Sequence, residues 1–235
     1  MIVLRSALFW LALLLVTPPY AILALATAPL PRMLRYRIIS GWSRVMLWCL
    51  RGLCGIRWRV EGREHLPKSP SVILAKHQSA WETLAFQQIF PPQVHVLKRE
   101  LLWLPFFGWG LALMSPIAID RGRGLSALRQ MARRGRVRLQ QGFWVVVFPE
   151  GTRVKPGARR KYQLGGAWLA THAGAQVVPV AHNAGRFWPR NSFLKYPGRV
   201  TVRIGPPIDS KGRDPEEINA LAEMWIETQQ RTLDS

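Results

Sequence analysis

The sequence predicts an α/β protein with a mixed, largely parallel sheet flanked by helices and preceded by an N-terminal apolar, membrane-anchoring helical segment. Two observations lead to this prediction. Residues 6–30 carry no charged side chain, and beyond residue 56 short apolar runs alternate with helical patterns. With 49% apolar residues among 235, the chain can bury a sizeable core. We therefore divide it into anchoring helices, residues 1–56, and a folded domain, residues 57–235.

The uncharged N-terminal stretch is long enough to cross a bilayer, since about 20 residues suffice in a helix. Pro18 and Pro19 interrupt it, so a bent or half-inserted hairpin is an equally permitted form. A cleaved signal peptide is the alternative, because Arg5, the apolar core and the small residues 26–28 resemble its three parts. The proline directly after that candidate cleavage point favours the anchor.

Basic residues follow the apolar stretch and predict that this side faces the cytoplasm: Arg32, Arg35, Arg37 and Arg44. Residues 36–53 mix tryptophans and aliphatic side chains with arginines, which is typical of an amphipathic helix lying in the membrane interface. An ordinary core helix shows nearly the same pattern and stays open as the alternative. Cys49 and Cys54 fit neither a metal-binding nor a disulfide pattern, and reduced thiols agree with a cytosol-facing domain.

Seven short apolar runs predict the strands: residues 58–60, 72–75, 94–97, 116–119, 143–148, 177–181 and 200–204. The clearest helix between them covers residues 125–140, with leucines on one face and arginines on the other. A last helix runs from residue 215 to about residue 230. It has Glu216 and Glu217 in its first turn, where the helix dipole favours anions.

The charge balance predicts an anionic partner, because 33 basic residues against 13 acidic ones give a formal net charge of +20. That partner is a nucleic acid or an anionic lipid surface, and the arginines of residues 129–138 keep a non-enzymatic binding protein open as a hypothesis. Eleven tryptophans favour the membrane, since indole rings prefer the boundary between hydrocarbon and water. No nucleic-acid-binding module is recognisable, so we expect no nucleic-acid partner.

A candidate catalytic base, His77, directly follows the apolar run at residues 72–75 and precedes a helical pattern. Imidazole titrates near neutrality, so it can take the proton of a hydroxyl that attacks a thioester. Glu82 lies five positions on, where its carboxylate can orient the ring and stabilise the imidazolium. Two alternatives stay open: Ser79 and Glu82 also match a capping box, and His77 can make a purely structural hydrogen bond.

A second candidate site, Phe-Pro-Glu-Gly-Thr-Arg at residues 148–153, begins where the fifth predicted strand ends. Gly151 allows a ligand to approach the backbone, Thr152 offers a hydroxyl, and Arg153 presents a planar guanidinium that matches phosphate. Glu150 can accept hydrogen bonds from a polyol. The alternative is a turn with an exposed ion pair.

Two weaker features follow neighbouring predicted strands. Arg121 comes after the run at residues 116–119 and is either a second phosphate ligand or the partner of Asp120. Lys98 comes after the run at residues 94–97. The aromatic side chains beyond it either wall an apolar channel or pack in the core: Trp103, Phe106, Phe107 and Trp109.

Taken together, these segments and their order resemble the glycerophospholipid acyltransferase family over residues 64–206. The family's His-x4-Asp pattern is matched by His77 and, with one departure, by Glu82, and its Phe-Pro-Glu-Gly-Thr-Arg pattern is present unchanged. Its remaining patterns are matched by Lys98, Glu100, Leu101, Pro105, Gly108, Asp120, Arg121 and the proline-containing run at residues 177–180.

The resemblance implies transfer of a fatty-acyl group to the free hydroxyl of 1-acylglycerol 3-phosphate, forming phosphatidic acid, without metal, cofactor or covalent intermediate. It implies that His77 is the base and that Glu82 orients it. The implied substrate contacts are Arg121 and Arg153 on the phosphate, Glu150 and Gly151 at the glycerol, and Lys98 and Thr152 beside them. The implied partners are the lipid bilayer, the lysophospholipid acceptor and an acyl thioester of coenzyme A or acyl carrier protein.

Glu82 departs from the family pattern because glutamate is one methylene longer than aspartate, which moves the carboxylate about 1.5 Å outward. The pairing with His77 therefore needs a backbone adjusted to the longer side chain. Other acceptors also stay open, namely another lysophospholipid, an amino-acid lipid or glycerol 3-phosphate, because the arginines specify a phosphate and little else.

Overall fold

The computed structural model describes residues 1–120 and 124–234. Its strands are β1 (Ile56–Glu61), β2 (Val72–Ala75), β3 (Gln93–Lys98), β4 (Ile117–Ile119), β5 (Trp144–Val147), β6 (Val177–His182) and β7 (Gly198–Ile204). They form one sheet in the order β1-β7-β6-β2-β5-β3-β4, in which only the β6–β7 pair is antiparallel. The predicted mixed, largely parallel sheet is confirmed, and each predicted strand overlaps an observed one.

The helices are α1 (Ile2–Ala26), α2 (Arg32–Ile39), α3 (Gly41–Cys54), α4 (Trp81–Ile89), α5 (Phe107–Leu113), α6 (Gly124–Gln140), α7 (Gly165–Ala173), α8 (Ala184–Phe187) and α9 (Pro215–Asp234). Helices cover both faces of the sheet. Successive side chains of a strand point to opposite faces, so a wholly apolar strand such as β2 needs helices on both sides. Ile73 and Ala75 pack in the cluster that contains α3 and α4, whereas Val72 and Leu74 pack in the cluster of α6, α7 and α9. Both faces of β2 are therefore buried.

The N-terminal segment is one helix, α1, which continues through Pro18 and Pro19 and measures about 37 Å at 1.5 Å per residue. It does not form the hairpin that the proline pair permits. One side packs on α3 and α5 and buries Phe9 and Ala24, while most of its leucines are exposed. By length and composition α1 could cross a membrane, so it is a candidate anchor.

The helix predicted over residues 36–53 is wrong in one respect, since the chain forms α2 and α3 with a break at Ser40. The break lies where α1 crosses: a Cβ atom at Gly41 would approach the hydroxyl of Tyr20 to 2.6 Å. The lack of a side chain at Gly41 therefore lets α1 pack closely against the start of α3. The helices predicted at residues 125–140 and 215–230 are confirmed as α6 and α9, and α9 continues to Asp234.

Candidate active site

The candidate residues meet at one edge of the sheet, because β2, β5 and β3 are parallel neighbours and their carboxyl ends lie side by side. His77 lies two residues beyond β2, the segment 148–153 follows β5, and Lys98 is the last residue of β3. Sequence-distant motifs thus converge, and the rigid strands fix where each begins.

His77 and Glu82 form a hydrogen-bonded pair in which Nδ1 of the imidazole donates to Oε1 of the carboxylate over 2.9 Å. An ionised carboxylate only accepts hydrogen bonds, so Nδ1 carries the ring proton and Nε2 has a free lone pair. The His77 side chain is 15% exposed, while Glu82 is fully buried. The imidazole is therefore oriented from behind, with its basic nitrogen free to act.

The same carboxylate oxygen of Glu82 also accepts the backbone amides of Gln78 and Ser79, at 2.9 and 2.8 Å. One carboxylate oxygen thus makes both the capping-box contact to the Ser79 amide and the contact to the His77 ring. Burial alone would raise the pKa of Glu82. The electrostatic effect of His182 and the hydrogen bonds from His77 and Ser79 outweigh it, so the pKa lies below its ordinary value. Glu82 is consequently ionised at neutral pH.

The segment after β5 holds His77 from three sides. The Phe148 ring stacks on the imidazole, with centroids 4.0 Å apart and planes 13° apart. The amide of His77 donates to Oε2 of Glu150 over 2.8 Å, and the amide of Val154 donates to the His77 carbonyl over 2.7 Å. Both backbone polar groups and one ring face of His77 are thus occupied by the neighbouring motif.

Lys76, the residue before His77, is fully buried with carboxylates around its ammonium group. Its Nζ atom lies 2.8 Å from Oε1 of Glu150 and 2.7 Å from Oε1 of Glu227 on α9. Tyr162 also donates to that oxygen of Glu227, over 3.0 Å. Burial by itself would lower the pKa of Lys76, but attraction to Glu150 and Glu227 raises it above its ordinary value. The ammonium is therefore charged inside the protein.

His77 opens into a cavity of about 630 Å³, within the usual range for small-molecule sites. Its walls are largely apolar and come from α1, α3, α4 and α5, with aromatic side chains from Trp10, Trp42, Phe106, Phe107 and Trp188. Among the described residues, the cationic side chains of Lys98, Arg153 and Arg190 line the same cavity. The site therefore combines a base, a long apolar surface and positive charge, which suits an amphipathic anionic molecule.

Four of the predicted substrate contacts line this cavity: Lys98, Gly151, Thr152 and Arg153. Glu150 needs correction, because it is 1% exposed, does not line the cavity and directs its carboxylate at Lys76 and the His77 amide. Arg121 lies outside the described residues. Of the predicted aromatic wall, Phe106 and Phe107 line the cavity, whereas Trp103 and Trp109 are exposed and belong neither to it nor to the core.

Sequence patterns missed several residues of the site. His95 on β3 lines the cavity, and burial together with repulsion from His77 lowers its pKa to about 4, so the imidazole is neutral. Arg190 donates from Nη1 to the carbonyl of Arg153 over 2.8 Å. Lys76 was also missed, although its position directly after an apolar strand was a usable signal, because a buried ammonium requires an acidic partner. Neither His95 nor Arg190 stands in a recognisable motif.

Among the residues that the structure describes, no three or more His, Cys, Asp or Glu side chains group together as potential metal ligands. Metal-free chemistry stays a prediction.

Residues 57–183 match the Acyltransferase family, and the chain belongs to that family. Within it, the chain is 46% identical to the 1-acyl-sn-glycerol-3-phosphate acyltransferase of Pseudomonas aeruginosa over 227 residues, 94% of this chain and 88% of that protein. It is 34% identical to the human 1-acyl-sn-glycerol-3-phosphate acyltransferase alpha over 77% of this chain and 65% of that protein. The resemblance seen in the sequence motifs is thereby confirmed, and the non-enzymatic hypothesis is not retained.

The fold agrees with a solved structure, the 1-acyl-sn-glycerophosphate acyltransferase PlsC from Thermotoga maritima. The TM-score is 0.82 at 22% sequence identity, over 100% of this chain and 96% of that one. The whole architecture, including the N-terminal helices, is therefore shared.

Proposed function

We propose that this protein transfers a fatty-acyl group from an acyl thioester to the free hydroxyl of 1-acylglycerol 3-phosphate, forming phosphatidic acid. The observation that carries the proposal is one largely apolar cavity lined by His77, whose ring is held from behind by Glu82, and by the cationic side chains of Lys98, Arg153 and Arg190. A single-chain lipid with a phosphate head group is complementary to that cavity, because it brings an apolar chain, an anion and a hydroxyl. The names of the relatives support the same acceptor.

In the proposed reaction, Nε2 of His77 takes the proton of the acceptor hydroxyl as its oxygen attacks the carbonyl carbon of the thioester. Glu82 stabilises the imidazolium that forms, through the hydrogen bond at Nδ1. The tetrahedral intermediate then collapses, the carbon–sulfur bond breaks, and the leaving thiolate takes the proton from His77. General-base catalysis of this kind is worth roughly 10²–10⁴-fold in rate.

The acceptor phosphate is proposed to bind Arg153, whose guanidinium offers paired donors, with Lys98 as a second cation at the cavity. Gly151 and Thr152 line the same cavity beside Arg153 in the sequence. The apolar walls then receive the acyl chains and exclude water, which would otherwise compete as a nucleophile.

We further propose that the protein is bound to the membrane that contains its acceptor, with the catalytic domain on the cytoplasmic side. The exposed leucines of α1 suit the hydrocarbon layer, and the net charge of +20 favours an anionic membrane surface. Coenzyme A and acyl carrier protein thioesters both remain candidate donors.

The test is acyl transfer by membranes carrying the protein, supplied with labelled acyl thioester of either donor and a panel of acceptors. The panel contains 1-acylglycerol 3-phosphate, other lysophospholipids, an amino-acid lipid and glycerol 3-phosphate. We expect the first to be used best. We also expect His77→Ala to lower kcat by about 10³-fold without loss of folding, whereas His172→Ala on the exposed side of α7 stays within about twofold. Full activity of His77→Ala would refute the assignment.

A further inference from the structure

Lys76 places a charged group in the protein interior, because its ammonium is fully buried one residue before the proposed base His77. Its Nζ atom donates to Glu227 over 2.7 Å and to the carbonyl of Ala158 over 3.4 Å, and it lies 2.8 Å from Glu150. Removing ions from water carries a large cost, and apolar residues of similar volume often stabilise a core as well as a buried ion pair does. Stability alone is therefore a weak reason for these charges.

The contacts of Glu150 lead from Lys76 to the base. One carboxylate oxygen of Glu150 faces the Lys76 ammonium, and the other accepts the backbone amide of His77 over 2.8 Å. Glu150 is 1% exposed, so solvent does not compete for either oxygen. Glu150 therefore links the Lys76 ammonium directly to the backbone of His77.

Glu227 extends the chain of contacts to α9, a helix that contributes no residue to the walls of the cavity among the residues described. Its Oε1 atom accepts hydrogen bonds from Lys76 and Tyr162, and Arg159 lies 3.3 Å from Oε2. The Tyr162 side chain is buried, whereas Arg159 is 58% exposed and is screened by water. The buried contacts of Glu227 thus hold the same ammonium group that faces Glu150.

We infer that Lys76, Glu150 and Glu227 form a buried charge triad that positions His77, with Glu227 acting as a positioning residue supplied by the C-terminal helix. This inference rests on the proposed function of His77 as the base. Each member acts through the next: Glu227 holds Lys76, Lys76 holds Glu150, and Glu150 holds the His77 backbone. Because this chain of contacts ends at the backbone of His77, the triad affects the rate of the chemical step and leaves binding of the acceptor unchanged.

Glu227→Gln is the variant that tests the triad, because the amide oxygen can still accept from Tyr162 and Lys76 while the charge is removed. We expect kcat to fall about 10-fold with the acceptor KM within twofold, since a small misplacement of a base is costly. Glu223→Gln, one turn earlier on α9, is the matched control and should change neither parameter more than twofold. Glu227→Asp, which restores the charge, should recover at least a third of the wild-type kcat.

A second measurement does not depend on turnover. The nuclear magnetic resonance signal of the His77 Nδ1 proton, assigned by its loss in His77→Ala, should shift in Glu227→Gln and stay in place in Glu223→Gln. If the wild-type protein transfers no acyl group, the proposed function fails while this signal still decides the positioning role. Should Glu227→Gln not fold, Tyr162→Phe removes one contact of the same carboxylate and should lower kcat about threefold.

An unchanged kcat and an unmoved His77 signal in a folded Glu227→Gln protein would overturn the inference. A rise in KM at constant kcat would overturn it as well, because it would make Glu227 a determinant of substrate binding. Equal losses in Glu223→Gln would also contradict it, because the effect would then follow from removing any negative charge from α9.

Discussion

Replacing Glu82 by aspartate tests the geometry of the His77–Glu82 pair most directly. The substitution retains the charge but withdraws the carboxylate by about 1.5 Å. Oε1 of Glu82 lies 2.8–2.9 Å from three donors, Nδ1 of His77 and the amides of Gln78 and Ser79. A withdrawn oxygen would be roughly 4.4 Å from them, beyond hydrogen-bonding distance. The aspartate typical of the family pattern is therefore expected to impair this protein.

The expected loss follows from the three hydrogen bonds. Each bond to an ionised, buried acceptor contributes about 1.5 kcal/mol or more, and partial relaxation of the loop recovers some of the sum. We expect the free energy of unfolding to fall by about 3 kcal/mol, which lowers Tm by roughly 6–12 °C in a protein of this size. Loss of ring orientation should lower kcat about 10²-fold, as a misplacement of the order of 1 Å does elsewhere.

Thermal unfolding and steady-state acyl transfer at saturating acceptor measure both effects. Glu82→Gln is the informative control, because it keeps the length and one accepting oxygen but loses the charge. It should retain more of the Tm than Glu82→Asp does, while kcat still falls because an imidazolium is no longer stabilised. If Glu82→Asp keeps the wild-type kcat and Tm, the hydrogen bonds to His77, Gln78 and Ser79 do not orient the base, and our reasoning is refuted.

Arg153→Ala should raise the acceptor KM at least 10-fold with little change in kcat, because a charge-assisted contact to phosphate is lost; an unchanged KM would contradict the phosphate role. Gly110→Leu should shift preference towards shorter acyl chains, since Gly110 and Ala24 both line the cavity and a Cβ at 110 would lie 3.9 Å from that of Ala24. A panel of acyl thioesters measures this, and an unaltered length profile would count against it. His95 has a folded-state pKa of about 4, below its ordinary value of 6.5, so the unfolded chain takes up the proton first and stability is lost as pH falls from 6.5 towards 4. Denaturation in urea at pH 7 and pH 5 should show His95→Gln losing about 2 kcal/mol less than wild type between these values, and parallel losses would exclude the effect.

The strands and the position of His77 at the end of β2 were predictable from local patterns. A buried strand appears as an apolar run, and the residue after it falls at the sheet edge wherever neighbouring strands are parallel. His77 and Glu82 are five positions apart, so a single turn of chain suffices to join them. The break at Ser40 between α2 and α3 was not predicted, and it lies where Tyr20 of another helix packs on Gly41.

Glu150 shows why a motif does not reveal the function of every residue in it. Its place in a polar turn suggested contact with a polyol, yet the side chain points inward to Lys76 and the His77 amide. From the same backbone position, a glutamate side chain can point into the cavity or into the protein interior. The buried ammonium of Lys76 favours the interior direction. No local pattern could predict the contact between Glu227 and Lys76, because the two residues are 151 positions apart in the sequence.

Local periodicity and short-range spacing thus specify the strands, the helices, the apolar N-terminus and the family motifs, since these depend on neighbours in the chain. The packing of distant elements specifies which charges pair, which aromatic rings line the cavity and which helix contacts Lys76. Such contacts depend on how α1 and α9 pack against the sheet. That arrangement follows from the burial of whole surfaces, to which each residue contributes only a small part.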